Sequence, residues 1–158
     1  MQPYHPTIIW RHRRENVKKC SLRGLEVRKD LCFYTYPTSP LPNIDGYILL
    51  TLEAPRLTSK DAHGGLFVID ATWRYAEKMF RALGNPSKML MRSLPPDIMT
   101  AYPRRQYDCP DPTRGLASVE ALYVAYTIMG RDTTGLLDHY TWKDRFLSFN
   151  NGFSNIDF

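Results

Sequence analysis

Asp70 and Trp73 stand at the end of an apolar run, Gly65-Leu66-Phe67-Val68-Ile69-Asp70-Ala71-Thr72-Trp73. A carboxylate there can take a proton, hold an ammonium group or cap free helix amides, and an indole offers a flat apolar wall. Leu66 to Ile69 are consecutively apolar and are entered from Gly64-Gly65, the pattern of a strand buried on both faces. Beyond it Trp73, Ala76, Met79, Phe80 and Leu83 recur at helical spacing, which predicts a helix buried along that stripe and closed by Gly84. Asp70 is thereby predicted at the carboxyl end of a buried strand, the edge that borders the ligand crevice of open parallel sheets. Taken by themselves these residues favour a plainer role, with Asp70 or Thr72 capping the helix that follows.

A second pattern is Tyr102, Arg104, Arg105 and Tyr107, interleaved in the proline-bearing stretch from Thr100 to Leu116. An aromatic beside an arginine can stack a splayed base and hold its phosphate, and loops this long usually carry function or are disordered. The third is a basic cluster: Arg11, Arg13, Arg14, Lys18, Lys19, Arg23, Arg28 and Lys29 against only Glu15 and Glu26. Such a cluster suits phosphate contacts with strong salt dependence, or simply a solvated face. The whole-chain balance of 21 basic and 16 acidic side chains permits a nucleic-acid partner without requiring one.

Cys20, Cys32 and Cys109 form no C-x-x-C pair, and His5, His12, His63 and His139 are scattered, so neither a disulfide framework nor a metal site is predicted. The first residues lack a signal-peptide apolar region and no apolar run approaches the ~20 residues that span a bilayer. A cytoplasmic, membrane-free setting is the expectation.

These groups must be positioned by about one domain's worth of chain, since 158 residues suffice for a single core and show no internal repeat. Pro37, Pro40 and Pro42 make Tyr36 to Pro42 a rigid extended connector. It divides a basic N-terminal region, residues 1–43, packed on the core, from a domain of residues 44–158, the two forming one compact unit. A strand is predicted within Ile44 to Leu52 around Tyr47-Ile48-Leu49-Leu50, a turn or helical start at Leu57 to Ala62, and a strand at Leu90 to Leu94 stopped by Pro95-Pro96. Ser118 as N-cap, Glu120 in the first turn and Gly130 after Met129 predict a helix that buries Leu122, Ala125, Tyr126 and Met129.

Four segments in one order carry a resemblance: Lys18-Lys19-Cys20-Ser21, the D-x-x-W of Asp70 and Trp73, Leu116-Ala117-Ser118-Val119-Glu120-Ala121-Leu122, and Trp142, Phe146, Leu147 and Asn150 after Gly135-Leu136-Leu137. From about Ile9 to Asn150 the chain resembles the ribosome-biogenesis aminocarboxypropyltransferases of small-subunit ribosomal RNA, which are related to the DTW-domain enzymes. The resemblance implies an α/β fold, a SPOUT-like knotted domain with a mostly parallel sheet and a small basic N-terminal region. It implies transfer of the 3-amino-3-carboxypropyl group of S-adenosylmethionine, as co-substrate and without a metal, to N3 of a uridine or pseudouridine. The implied partner is small-subunit rRNA or a pre-ribosomal particle, and the implied state is a monomer.

Carried over residue by residue, Trp73 packs on the co-substrate, where its face also attracts the sulfonium cation. Asp70 acts in transfer either as base for N3 or as clamp for the amino group of the transferred chain. Ser21, Leu94, Tyr102, Pro103, Leu116, Ala117 and Ser118 match segments around the co-substrate, while Arg11, Arg13, Arg14, Lys18, Lys19, Arg23, Arg104 and Arg105 would grip RNA. Ala121 and Leu122 read as core. Asn16 and Val17 stand where the family has an aspartate and a proline, and Tyr102-Pro103-Arg104-Arg105-Gln106-Tyr107 replaces its usual N-P-V-N-Y-G. Asp70-Ala71-Thr72-Trp73-Arg74 equally resembles the DTW enzymes, which modify a transfer-RNA uridine, but the cysteine-rich segment those typically carry is missing here. A non-catalytic RNA-binding assembly factor and an ordinary RNA methyltransferase are the other readings.

Overall fold

The computed structural model describes residues 5–16, 20–84, 88–103 and 115–153. Five strands, β1 (Thr7–His12), β2 (Leu31–Tyr36), β3 (Ile48–Leu50), β4 (Leu66–Asp70) and β5 (Leu90–Arg92), form one sheet in the order β2-β1-β4-β3-β5. Every pairing is parallel. The helices are α1 (Trp73–Ala82), α2 (Ser118–Met129) and α3 (Lys143–Phe149), with short 3-10 turns at Leu25–Val27 and Ser59–Asp61.

The three strands predicted from apolar runs form, as does the helix after Asp70, and Gly84 and Gly130 close α1 and α2 at φ 76° and 71°. The stretch read as a basic region contributes more than charge. Its Thr7-Ile8-Ile9-Trp10 and Leu31 to Tyr36, rich in β-branched and aromatic residues, become β1 and β2, and β1 lies between β2 and β4.

Because strand side chains alternate, β1 and β4 feed two cores. Ile9, Leu66 and Val68 join α2 and α3 through Leu122, Tyr126 and Phe146 on one face. Ile8, Trp10 and Phe67 join Met79 of α1 on the other. Arg11 and Asp70, register partners at the carboxyl ends of β1 and β4, fall on the α2 face. A hydrogen bond of 2.6 Å between the Thr7 and Tyr126 hydroxyls ties the start of β1 to α2.

Two predicted details differ. Ala117, not Ser118, is the N-cap of α2, because Glu120 reaches back to accept from the Ala117 amide at 2.8 Å and so sets the helix start. The predicted buried stripe of α1 is buried only at Met79; Trp73 is 44% and Phe80 36% exposed, since α1 leans over an apolar cavity instead of sealing it.

Candidate active site

The β1/β4 junction is where the connections diverge: β1 leads outward to β2 on one side, and β4 leads through α1 to β5 on the other. In parallel sheets such a switch point opens a crevice at the strand carboxyl ends. Here it opens two cavities sharing Ala71, Trp73 and Ser118 as a common wall. The larger, about 640 Å³, is lined by apolar groups including Leu49, Ile69, Phe80, Leu94, Leu116 and Ala121. The smaller, about 220 Å³, is polar and holds Glu15, Cys20, Ser21, Asp70, Thr72, Tyr102 and Ala117. The larger volume lies within the range of small-molecule sites, about 300–1,000 Å³.

Asp70 is 3% exposed, and both of its carboxylate oxygens accept hydrogen bonds. Arg11 Nε donates to its Oδ2 at 2.8 Å, the Cys20 thiol donates to the same carboxylate at 3.2 and 3.4 Å, and the Ser118 hydroxyl approaches Oδ1 at 3.5 Å. The capping role that the sequence favoured for Asp70 or Thr72 is not what forms: Thr72 is the N-cap of α1, and no side-chain cap bond is made there. Asp70 turns away from α1 because alternation aims it at α2 and because a buried carboxylate needs a cation.

That cation is Arg11. Expected on a phosphate-gripping face, its guanidinium has a side-chain exposure of 12%, pairs with Glu26 at 3.2 Å and lies 4.7 Å over the Phe33 ring. Its place two residues after Ile9 on the same strand face turns it inward. Arg13, Arg14 and Arg23 are exposed, while Lys18, Lys19, Arg104 and Arg105 lie outside the described residues.

Among the residues matched to the co-substrate, Trp73, Leu94, Leu116 and Ser118 line the larger cavity. Ser21, Tyr102 and Ala117 line the smaller, and exposed Pro103 lines neither. Ser21 has a structural task as well: its Oγ accepts from the Val119 amide at 3.1 Å, satisfying a first-turn donor of α2 from a segment 98 residues away. Glu120, wholly buried, fastens the same corner by accepting from Thr100 Oγ1, the Ala101 and Ala117 amides and the Tyr140 hydroxyl at 2.7 to 2.9 Å. Asn150, the last residue of the C-terminal motif, braces the cavity wall through both backbone groups of Met99.

Glu15 lines the polar chamber, and sequence reasoning did not single it out. Burial, then the charge of Asp70, pushes its carboxyl up to about 7, with Arg11 pulling the other way. Burial and Asp70 likewise push the Cys20 thiol up to about 12, so it stays protonated and donates to Asp70. One ligand atom from each of Glu15, Cys20 and Asp70 lies within 4.8 Å of the others. Asp70 is paired with Arg11 and accepts the Cys20 proton, and its charge acts on Glu15, so the three groups form one charge-coupled cluster. Nearby His12 stacks on Tyr75 at 4.0 Å and is held below its ordinary value by burial and by Arg13, Arg14 and Lys78. A lone acid in a basic run carries no periodicity; only its position just past β1 could have pointed to the sheet's carboxyl edge.

The arrangement can therefore take an apolar, ring-bearing ligand in one chamber and a polar chain beside carboxylates in the next, with Trp73 between them. No family model matches this chain, and no curated protein matches it. Its fold is similar to that of the SAM-dependent rRNA:acp-transferase Tsr3 from Vulcanisaeta distributa, with a TM-score of 0.68 and 21% identity, covering 96% of this chain and 82% of that one. At that identity the likeness is one of fold.

Proposed function

We propose that this protein transfers the 3-amino-3-carboxypropyl group of S-adenosylmethionine to N3 of a uridine or pseudouridine in small-subunit ribosomal RNA. The observation that carries this reading is Asp70 in a polar chamber that shares the Trp73 wall with an apolar one, on a fold like that of an rRNA:acp-transferase. The apolar chamber suits adenine and the S-methyl group, with Leu94, Leu116 and Ala121 against the ring. Trp73 at the shared wall suits the sulfonium, an attraction of ~1–2 kcal/mol when water is excluded. Asp70 suits the amino group of the chain being transferred, since Arg11 and Cys20 hold its carboxylate in place.

The RNA partner is supported by exposed Arg13, Arg14 and Arg23, in the segments flanking chamber residues Glu15 and Ser21 in the chain. In this reading the domain is SPOUT-like with a C-terminal trefoil knot, works as a monomer in the cytoplasm, and packs residues 1–43 against residues 44–158 through β1.

Mass spectrometry of nucleosides and small products tests the proposal after incubation with S-adenosylmethionine and unmodified small-subunit rRNA or transfer RNA. Methylthioadenosine with an aminocarboxypropylated uridine is expected from the rRNA. The same product from transfer RNA alone would move the substrate to the DTW class, and S-adenosylhomocysteine would make the protein a methyltransferase. RNA binding without either product would leave an assembly factor.

A further inference from the structure

Resting on that reading, we infer that Glu15, and not Asp70, is the catalytic residue that takes the N3 proton of the target uridine. Both carboxylates face the 220 Å³ chamber beside Trp73, but they are differently occupied. Asp70 accepts from Arg11, Cys20 and Ser118, and adding a proton to it would leave Arg11, whose side chain is 12% exposed, with only the partly exposed Glu26 as counter-ion. Among the described residues, no side chain hydrogen-bonds or ion-pairs with the Glu15 carboxylate, whose place is held through its backbone N–H donating to His12 O at 2.9 Å.

The groups facing Glu15 are Asp70 from β4, Arg11 from β1, Cys20 from the segment after β1, and Tyr102 across the chamber. Asp70 and burial favour its protonated form near neutrality, which is where a general base does most. In the step, the N3–H bond breaks and its proton goes to a Glu15 oxygen. The N3 electron pair forms the bond to the chain carbon next to sulfur. The carbon–sulfur bond breaks with its electrons going to the sulfonium, which leaves as a neutral thioether, and Glu15 returns its proton to solvent. Two carboxylates thus divide the work, one holding the chain and one moving the proton.

Single-turnover transfer to rRNA across pH 5.5 to 9, with S-adenosylmethionine binding measured by calorimetry, tests this on wild type, Glu15→Gln and Glu15→Asp. Wild type is expected to gain rate through about pH 7 and level off. Glu15→Gln is expected to lose at least about 100-fold in rate, together with that inflection. It should bind S-adenosylmethionine within about threefold of wild type, and Glu15→Asp should recover part of the rate with its own inflection. A Glu15→Gln rate within about threefold of wild type, with the inflection intact, overturns the inference and leaves the transfer reading standing. Absence of methylthioadenosine from wild type on either RNA overturns both.

Discussion

Replacing Glu15 by Gln should stabilise this protein at alkaline pH and leave its stability unchanged at acid pH. The folded chain holds the Glu15 proton up to about pH 7, whereas an unfolded glutamate gives it up near 4.5. Between those values the native state binds more protons than the unfolded one, so this group makes stability fall as pH rises through the window and leaves it level above. Each pH unit is worth about 1.4 kcal/mol, which over this window sets an upper bound of about 3.4 kcal/mol. The side chain is half-buried and part of its charge is screened, so a gain of about 1–2 kcal/mol is expected at pH 8.5. At pH 4 both states carry a neutral acid, and glutamine of the same shape should differ by less than about 0.5 kcal/mol. Urea unfolding followed by tryptophan fluorescence at the two pH values gives both numbers by linear extrapolation. A variant no more stable than wild type at pH 8.5, or equally more stable at both, would refute the assignment of a burdened carboxyl beside Asp70. A gain at alkaline pH with a loss of transfer is the usual signature of a site that holds strain for function.

Other variants probe the neighbouring contacts. Arg11→Met should cost about 3–5 kcal/mol in urea unfolding by stranding the Asp70 charge, with Arg11→Met/Asp70→Asn recovering much of it; a loss below 1 kcal/mol would mean the pair holds nothing together. Glu120→Gln should cost about 3 kcal/mol, because an amide cannot accept from the Thr100, Ala101, Ala117 and Tyr140 donors as a carboxylate does, and an unchanged midpoint would contradict that network. Trp73→Ala should weaken S-adenosylmethionine binding by more than about 1 kcal/mol in calorimetry while the fold, which leaves Trp73 44% exposed, loses little; unchanged affinity removes Trp73 from the site. Charge reversal at exposed Arg13 and Arg14 should reduce the salt slope of RNA binding by about two, and an unaltered slope would put the phosphates elsewhere.

Local pattern was legible wherever the interaction it reports is local. The apolar run into Asp70, the caps at Gly84 and Gly130 and the core positions of α2 all follow from spacings of a few residues, and each formed. Strand β1 was equally written in Thr7-Ile8-Ile9-Trp10, but the charges that follow it masked a short run whose hydrophobicity is buried by distant partners. The stripe of α1 was correctly periodic and wrongly assigned to the core, since periodicity reports an apolar face and not what lies against it.

The sequence by itself determined an α/β class, a carboxylate and an indole at one strand end, and a basic segment early in the chain. Only the tertiary structure decided which charges face inward. Arg11 meets Asp70 across 59 residues, Ser21 meets Val119 across 98, and Glu15 comes within 4.8 Å of Asp70 because β1 and β4 are neighbours in the sheet. A parallel sheet joins strands through crossovers, so the residues that share its carboxyl edge are far apart in the chain. Their burial and pairing are properties of that edge, set when the strands register, and no spacing along the chain encodes them.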